Sequence, residues 1–132
     1  IKNAAGKDLL NTNIPGGFTA VRAQDLNADR ALQDITGISV KKDQDTIAYV
    51  DYATGAVRIL KDSISASQKM YQSDFYINLS KIVNKETVTD VDTVKVEYNW
   101  SPNLFQVSKV WYNNKLSFSK VEGQPNIIHI VK

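Results

Sequence analysis

One histidine, no cysteine, three glutamates and eleven aspartates are the acid–base and nucleophile equipment of this 132-residue chain. A Ser–His–Asp triad would have to use His129. That residue stands in the apolar run Ile127-Ile128-His129-Ile130-Val131, on the side of Ile127 and Val131. No Gly-x-Ser-x-Gly elbow and no His-Glu-x-x-His pair accompany it. Without cysteine there are no disulfides, thiolate zinc sites, iron–sulfur clusters or thiol nucleophiles. With one histidine a zinc site would need three carboxylates. Paired carboxylates could still do acid–base work, but Glu86 and Glu122 sit in polar, turn-like surroundings. The expectation is a protein that is not an enzyme and carries no cofactor.

Two acidic clusters invite a cation. Asp25, Asn27 and Asp29 place oxygen ligands at alternate positions, as a calcium loop begins. Arg30 then stands where the turn glycine belongs and Thr36 where the bidentate glutamate belongs, so the three are calcium candidates in their first half only. Helix capping explains them as well. Asp43-Gln44-Asp45-Thr46-Ile47 and Asp90-Val91-Asp92-Thr93-Val94 share a five-residue pattern. Aspartate before a β-branched strand start is also an ordinary turn-to-strand transition.

Aromatic residues are the other chemical resource. Tyr49, Tyr52, Tyr71, Phe75, Tyr76, Tyr98, Trp100, Phe105, Trp111, Tyr112 and Phe118 suit the core of a β protein,. Some could equally form a flat sugar-binding face. Trp111 and Tyr112 are adjacent, so on a strand they point to opposite sides. Trp100, Trp111 and Tyr112 are therefore the ligand-binding candidates. No glycine–aromatic motif or basic stripe accompanies the rings, which argues against nucleic acid. Asn78-Leu79-Ser80 and Asn99-Trp100-Ser101 match the glycosylation pattern,.

The elements that must position these side chains announce themselves by alternation at period two. In Asp92–Trp100, Val94, Val96, Tyr98 and Trp100 share one face, and Thr93, Lys95, Glu97 and Asn99 the other. Such a half-wet strand belongs to an antiparallel sheet. Met70–Leu79 repeats the pattern. Further strands are expected at Phe18–Ala23, Gly37–Lys41, Thr46–Tyr52, Ala56–Leu60, Leu104–Tyr112, Leu116–Lys120 and Asn126–Val131. Turns are expected at Ala53-Thr54-Gly55, Ser101-Pro102-Asn103 and Asn113-Asn114. Ala28, Ala31, Leu32 and Ile35 fall at helical spacing, which allows one short helix near 28–35. Residues 1–17 and 61–69 read as loops. The fold class predicted is all-β: one domain over 1–132, an antiparallel sandwich of about seven to nine strands, immunoglobulin- or transthyretin-like.

Apolar residues at 42% and charged residues at 23% suit a globular domain,. A net charge of +2 promises no nucleic-acid partner,. No stretch approaches the ~18 consecutive apolar residues of a spanning helix. The chain opens on Ile1 with no signal peptide, so a processed or trimmed start is expected,.

Three stretches together resemble the small exported lipoprotein domains of Bacteroidetes-type bacteria. They are Gly6-Lys7-Asp8-Leu9-Leu10-Asn11 with Pro15-Gly16, then Asp92-Thr93-Val94-Lys95-Val96-Glu97-Tyr98, then Lys109-Val110-Trp111-Tyr112-Asn113-Asn114-Lys115-Leu116. Asn114 replaces the family's hairpin glycine, and Thr12-Asn13-Ile14 intervenes before Pro15. The resemblance implies a β fold and an exported place in the periplasm, at the outer membrane or outside the cell. Any membrane tie would be a lipid anchor upstream of residue 1. It implies no chemistry. The expected function is a non-catalytic binding or surface-structural module of the cell envelope, with a protein or glycan ligand. The alternatives are a carbohydrate-binding module using exposed aromatics and a calcium-stabilised adhesion-type sandwich.

Overall fold

A computed structural model describes residues 1–14, 16–27, 33–35, 37–54 and 56–132. Among them are nine strands and no helix: β1 (Ala20–Asp25), β2 (Gln33–Asp34), β3 (Gly37–Lys42), β4 (Ala48–Thr54), β5 (Ile59–Ser65), β6 (Gln68–Val83), β7 (Glu86–Ser101), β8 (Leu104–Tyr112) and β9 (Lys115–Ser119). All pairings between them are antiparallel.

The centre is the hairpin of β6 and β7, sixteen residues each. It is joined at Asn84 and Lys85, whose φ values of 51° and 67° match the twist that a two-residue hairpin turn requires,. β8 and β9 extend the sheet beyond β7. The other edge of β6 is shared: β1 pairs with Phe75–Ser80 and β5 with Gln68–Gln72. β3 and β4 form a separate two-stranded ribbon. Its turn is built by Asp43, whose Oδ1 accepts the N–H groups of Asp45 and Ile47 at 2.9 and 3.0 Å.

One face of the large sheet is the core. Ala23, Phe75, Ile77, Leu79, Val94, Val96, Tyr98, Val110 and Tyr112 are buried there, each large apolar side chain worth about 1.5–3 kcal/mol on leaving water. Leu9, Leu10, Phe18, Ile35, Ala48 and Ala56 belong to the same cluster, with Ile38, Val50, Tyr52, Ile128 and Ile130 packed against it. The opposite face carries Gln72, Asp74, Tyr76, Thr93, Lys95, Glu97 and Trp111, all half-buried.

Among the described residues of 1–17 there is no strand, yet Leu9 and Leu10 are core material. Asp8 ties them down: its Oδ1 accepts the Leu10 N–H at 3.1 Å and its Oδ2 the Ala48 N–H at 2.9 Å. Four expectations need correction. Residues 61–69 are not a loop, because β5 continues to Ser65 and β6 starts at Gln68. Asn126–Val131 is not a strand and makes only an isolated bridge, Val131 to Lys2. Ala53-Thr54-Gly55 joins no hairpin, since β4 pairs with β3 and β5 with β6; Gly55 lies outside the described residues. Of the helix expected near 28–35, Gln33–Asp34 is strand, held to β1 by backbone pairing; 28–32 lie outside the described residues.

Candidate functional site

The three aromatic candidates do not share a face. Tyr112 is buried in the core. Trp111 faces the opposite side of the sheet, half-buried, with Lys95 Nζ 4.8 Å from its ring centre. Trp100 is half-buried on the core side, at the far end of β7.

The calcium candidates are occupied by backbone. Asp25 is buried, its Oδ1 accepting the Asn27 N–H at 2.9 Å and its Oδ2 the Val57 N–H at 2.7 Å. Asn27 Nδ2 donates to Asp74 Oδ2 at 3.3 Å. Asp29 lies outside the described residues. Among the described residues no cluster of three metal-ligating side chains forms. His129 is exposed.

The most perturbed ionisable cluster centres on Asp92. Its carboxylate accepts the Tyr112 hydroxyl at 2.5 Å, Asn113 Nδ2 at 3.0 Å and Lys132 Nζ at 2.7 Å. Burial pushes this carboxyl up, but Lys132, Tyr112 and Asn113 outweigh it and hold Asp92 below the ordinary carboxylate range. Burial, then the bond to Asp92, pushes the Tyr112 hydroxyl far above its usual value. Both carboxylate oxygens are engaged by side chains of the protein itself. Such networks occur structurally as well as catalytically, and this one binds the C-terminal segment to β7.

Open space lies instead at the other end of the sheet. Tyr71, Tyr98, Trp100 and Phe105 continue the core-facing columns there. Phe105 stacks on Tyr98 at 5.2 Å and meets Tyr71 edge-on at 6.0 Å. A recess of ≈ 330 Å³ is lined by Tyr52, Arg58, Tyr98, Phe105, Val107 and Asn126 among others. A second, of ≈ 280 Å³, has Gln68, Lys69, Asn99 and Trp100 in its lining, and Gln106 borders both. Phe105 remains 39% exposed. Burial pushes the Tyr52 hydroxyl up to about 12, so it stays protonated; it accepts the Ala56 N–H at 3.1 Å. Ligand sites combine such apolar walls with a few polar groups.

Of this groove, Trp100 alone belongs to the aromatic candidates chosen from sequence. Arg58 and Lys69 escape sequence reasoning because neither stands in a motif. The signal that finds Lys69 is the turn: counting outward from Asn84-Lys85 sets Lys69 opposite Trp100 and Tyr71 opposite Tyr98. Comparison with known proteins returns no matching family model, curated protein or solved structure.

Proposed function

We propose that this chain is a non-catalytic binding module of an exported, cell-envelope protein, and that it holds carbohydrate in the groove at the end of β7. The carrying observation is that Trp100 and Phe105 stay partly open in recesses bordered by the amides of Gln68, Asn99, Gln106 and Asn126. The ring surface left open beside these amides suits the C–H groups of a sugar, and the amides suit its hydroxyls. The β3–β4 ribbon against the core face supports reading the domain as an open sandwich of immunoglobulin or transthyretin type. The resemblance of its opening and its Trp111 hairpin to exported lipoprotein domains supports the envelope location. A protein ligand is the second reading, favoured by exposed Ile59, Leu60, Ile64 and Leu104 nearby.

Tryptophan emission tests the carbohydrate reading. The chain has two tryptophans, so Trp111→Phe leaves Trp100 as sole reporter. A panel of neutral and acidic soluble glycans should include one that shifts Trp100 emission saturably, without release of reducing ends. No shift with any glycan would defeat the carbohydrate reading; released reducing ends would defeat the non-catalytic one.

A further inference from the structure

The groove's ring faces already carry cations. The Arg58 guanidinium carbon stands 4.8 Å from the centre of Phe105, and Lys69 Nζ 5.0 Å from that of Trp100. Tyr98 takes the remaining face of Phe105. A neutral sugar would have to displace a cation to stack fully on either ring. An anion would not, because a cation seated on a ring keeps outward N–H donors free.

The charges around the groove agree. Among the described residues neither Arg58 nor Lys69 lies within ion-pair distance of a carboxylate. No aspartate or glutamate lines either recess. Glu122 reaches the rim, accepting from Gln106 Nε2 at 3.0 Å. Lys120 adds a further cation beside Asn126, 2.9 Å from its Oδ1. The four cation–π pairs among the described residues exceed the usual one per ~70–80 residues, and two of them converge here.

We infer that the ligand is an anionic polysaccharide, bearing carboxylates or sulfates, held by Arg58 and Lys69 over the Phe105 and Trp100 rings. This rests on the carbohydrate reading above and narrows it. The planar guanidinium matches either group bidentately, and Gln68, Asn99 and Asn126 are placed to bond hydroxyls.

The test is electrophoresis of the whole chain through gels holding polygalacturonate, heparin, neutral xylan, neutral amylose or duplex DNA. Arg58→Gln and Lys69→Gln run alongside, with thermal melts to show that they fold. The expected result is retardation by polygalacturonate or heparin, weakened about tenfold in each variant and abolished by high salt. Retardation by polygalacturonate shows that carboxylates suffice; retardation by heparin alone shows that sulfates are needed, since heparin carries both groups. Retardation only by neutral glycans, unchanged in the variants, overturns the anionic inference and leaves the carbohydrate reading standing. Acidic-gel retardation unchanged in both variants, or equalled by DNA, overturns it too, as charge alone would then explain binding. No retardation by any glycan defeats both.

Discussion

Lys132 Nζ lies 2.7 Å from Asp92 Oδ2, with side chains only 17% and 6% exposed. Lys132 also donates its backbone N–H to the Lys2 carbonyl at 2.8 Å. One ion pair thus draws the C-terminal segment, the N-terminal segment and β7 into one knot. Asp92→Ala should cost about 2–3 kcal/mol, because it takes the partner from the buried Tyr112 hydroxyl and leaves Lys132 only the exposed Asp90 at 3.3 Å,; chemical denaturation measures it.

The same site sets an acid limb. Asp92 sits below its ordinary value of 3.8. A depressed carboxyl stabilises the fold above its unfolded value, and that stability is lost as pH falls through the folded one. Denaturant midpoints should therefore hold down to about pH 4 and decline below it. Asp92→Asn should start less stable and decline less steeply. Tyr112 acts at the other extreme: its raised hydroxyl favours the fold up to its ordinary value of 10.0, and stability should fall as pH rises beyond that,.

Ser73 is fully buried and its hydroxyl has no partner among the described residues. Ser73→Ala removes an orphaned polar group and should stabilise by about 1 kcal/mol, raising the melting temperature by a few degrees. A lower melting point would show that the hydroxyl is paired in solution.

At Gly17 a Cβ would run into the Asn11 carbonyl oxygen and crowd Ile14. Gly17→Ala should destabilise by about 1–3 kcal/mol, the usual cost of overpacking, and loosen Leu9 and Leu10 from the core. Proteolysis of the first twenty or so residues would report it.

Lys85 holds a φ of 67° in the β6–β7 turn. Left-handed backbone costs a residue with a Cβ roughly 1–2 kcal/mol, so Lys85→Gly should raise the melting temperature.

Calcium should not shift the melt. Both Asp25 oxygens already accept backbone N–H groups, and a ligand that binds the native state would have to raise its stability. A rise at millimolar calcium would return the 25–29 segment to consideration.

Leu104–Tyr112 is found with its bounds intact, yet strict alternation fails inside it: a bulge opposite Glu97 and Tyr98 lets Val107 face the core together with Val110 and Tyr112,. Alternation cannot find β5. All seven of its residues are exposed, so no buried face imposes a period on Ile59–Ser65. The tip of the β6–β7 hairpin hides for the same reason, since Ile82, Val83 and Val88 project into solvent. Asn113-Asn114 is legible as a turn because asparagine tolerates positive φ, here 50° and 65°,. Trp100 is recognisable as a candidate, but its pairing with Lys69 follows only from a register counted across a turn that contains a lysine.

The two edges that meet on β6 differ in how far the polypeptide must travel to make them. Val83 finds Glu86 across two residues, whereas Ala20 finds Ser80 only after the intervening ribbon has been spun out. Closing a short loop forfeits less chain freedom than closing a long one, and contacts distant along the chain slow the search for the native state. The β6–β7 hairpin should therefore gain amide protection first in pulse-labelled refolding, with β1 arriving late. A newly made chain would expose Phe75, Ile77 and Leu79 in that interval, which makes the N-terminal third a self-supplied cover for its own nascent sheet.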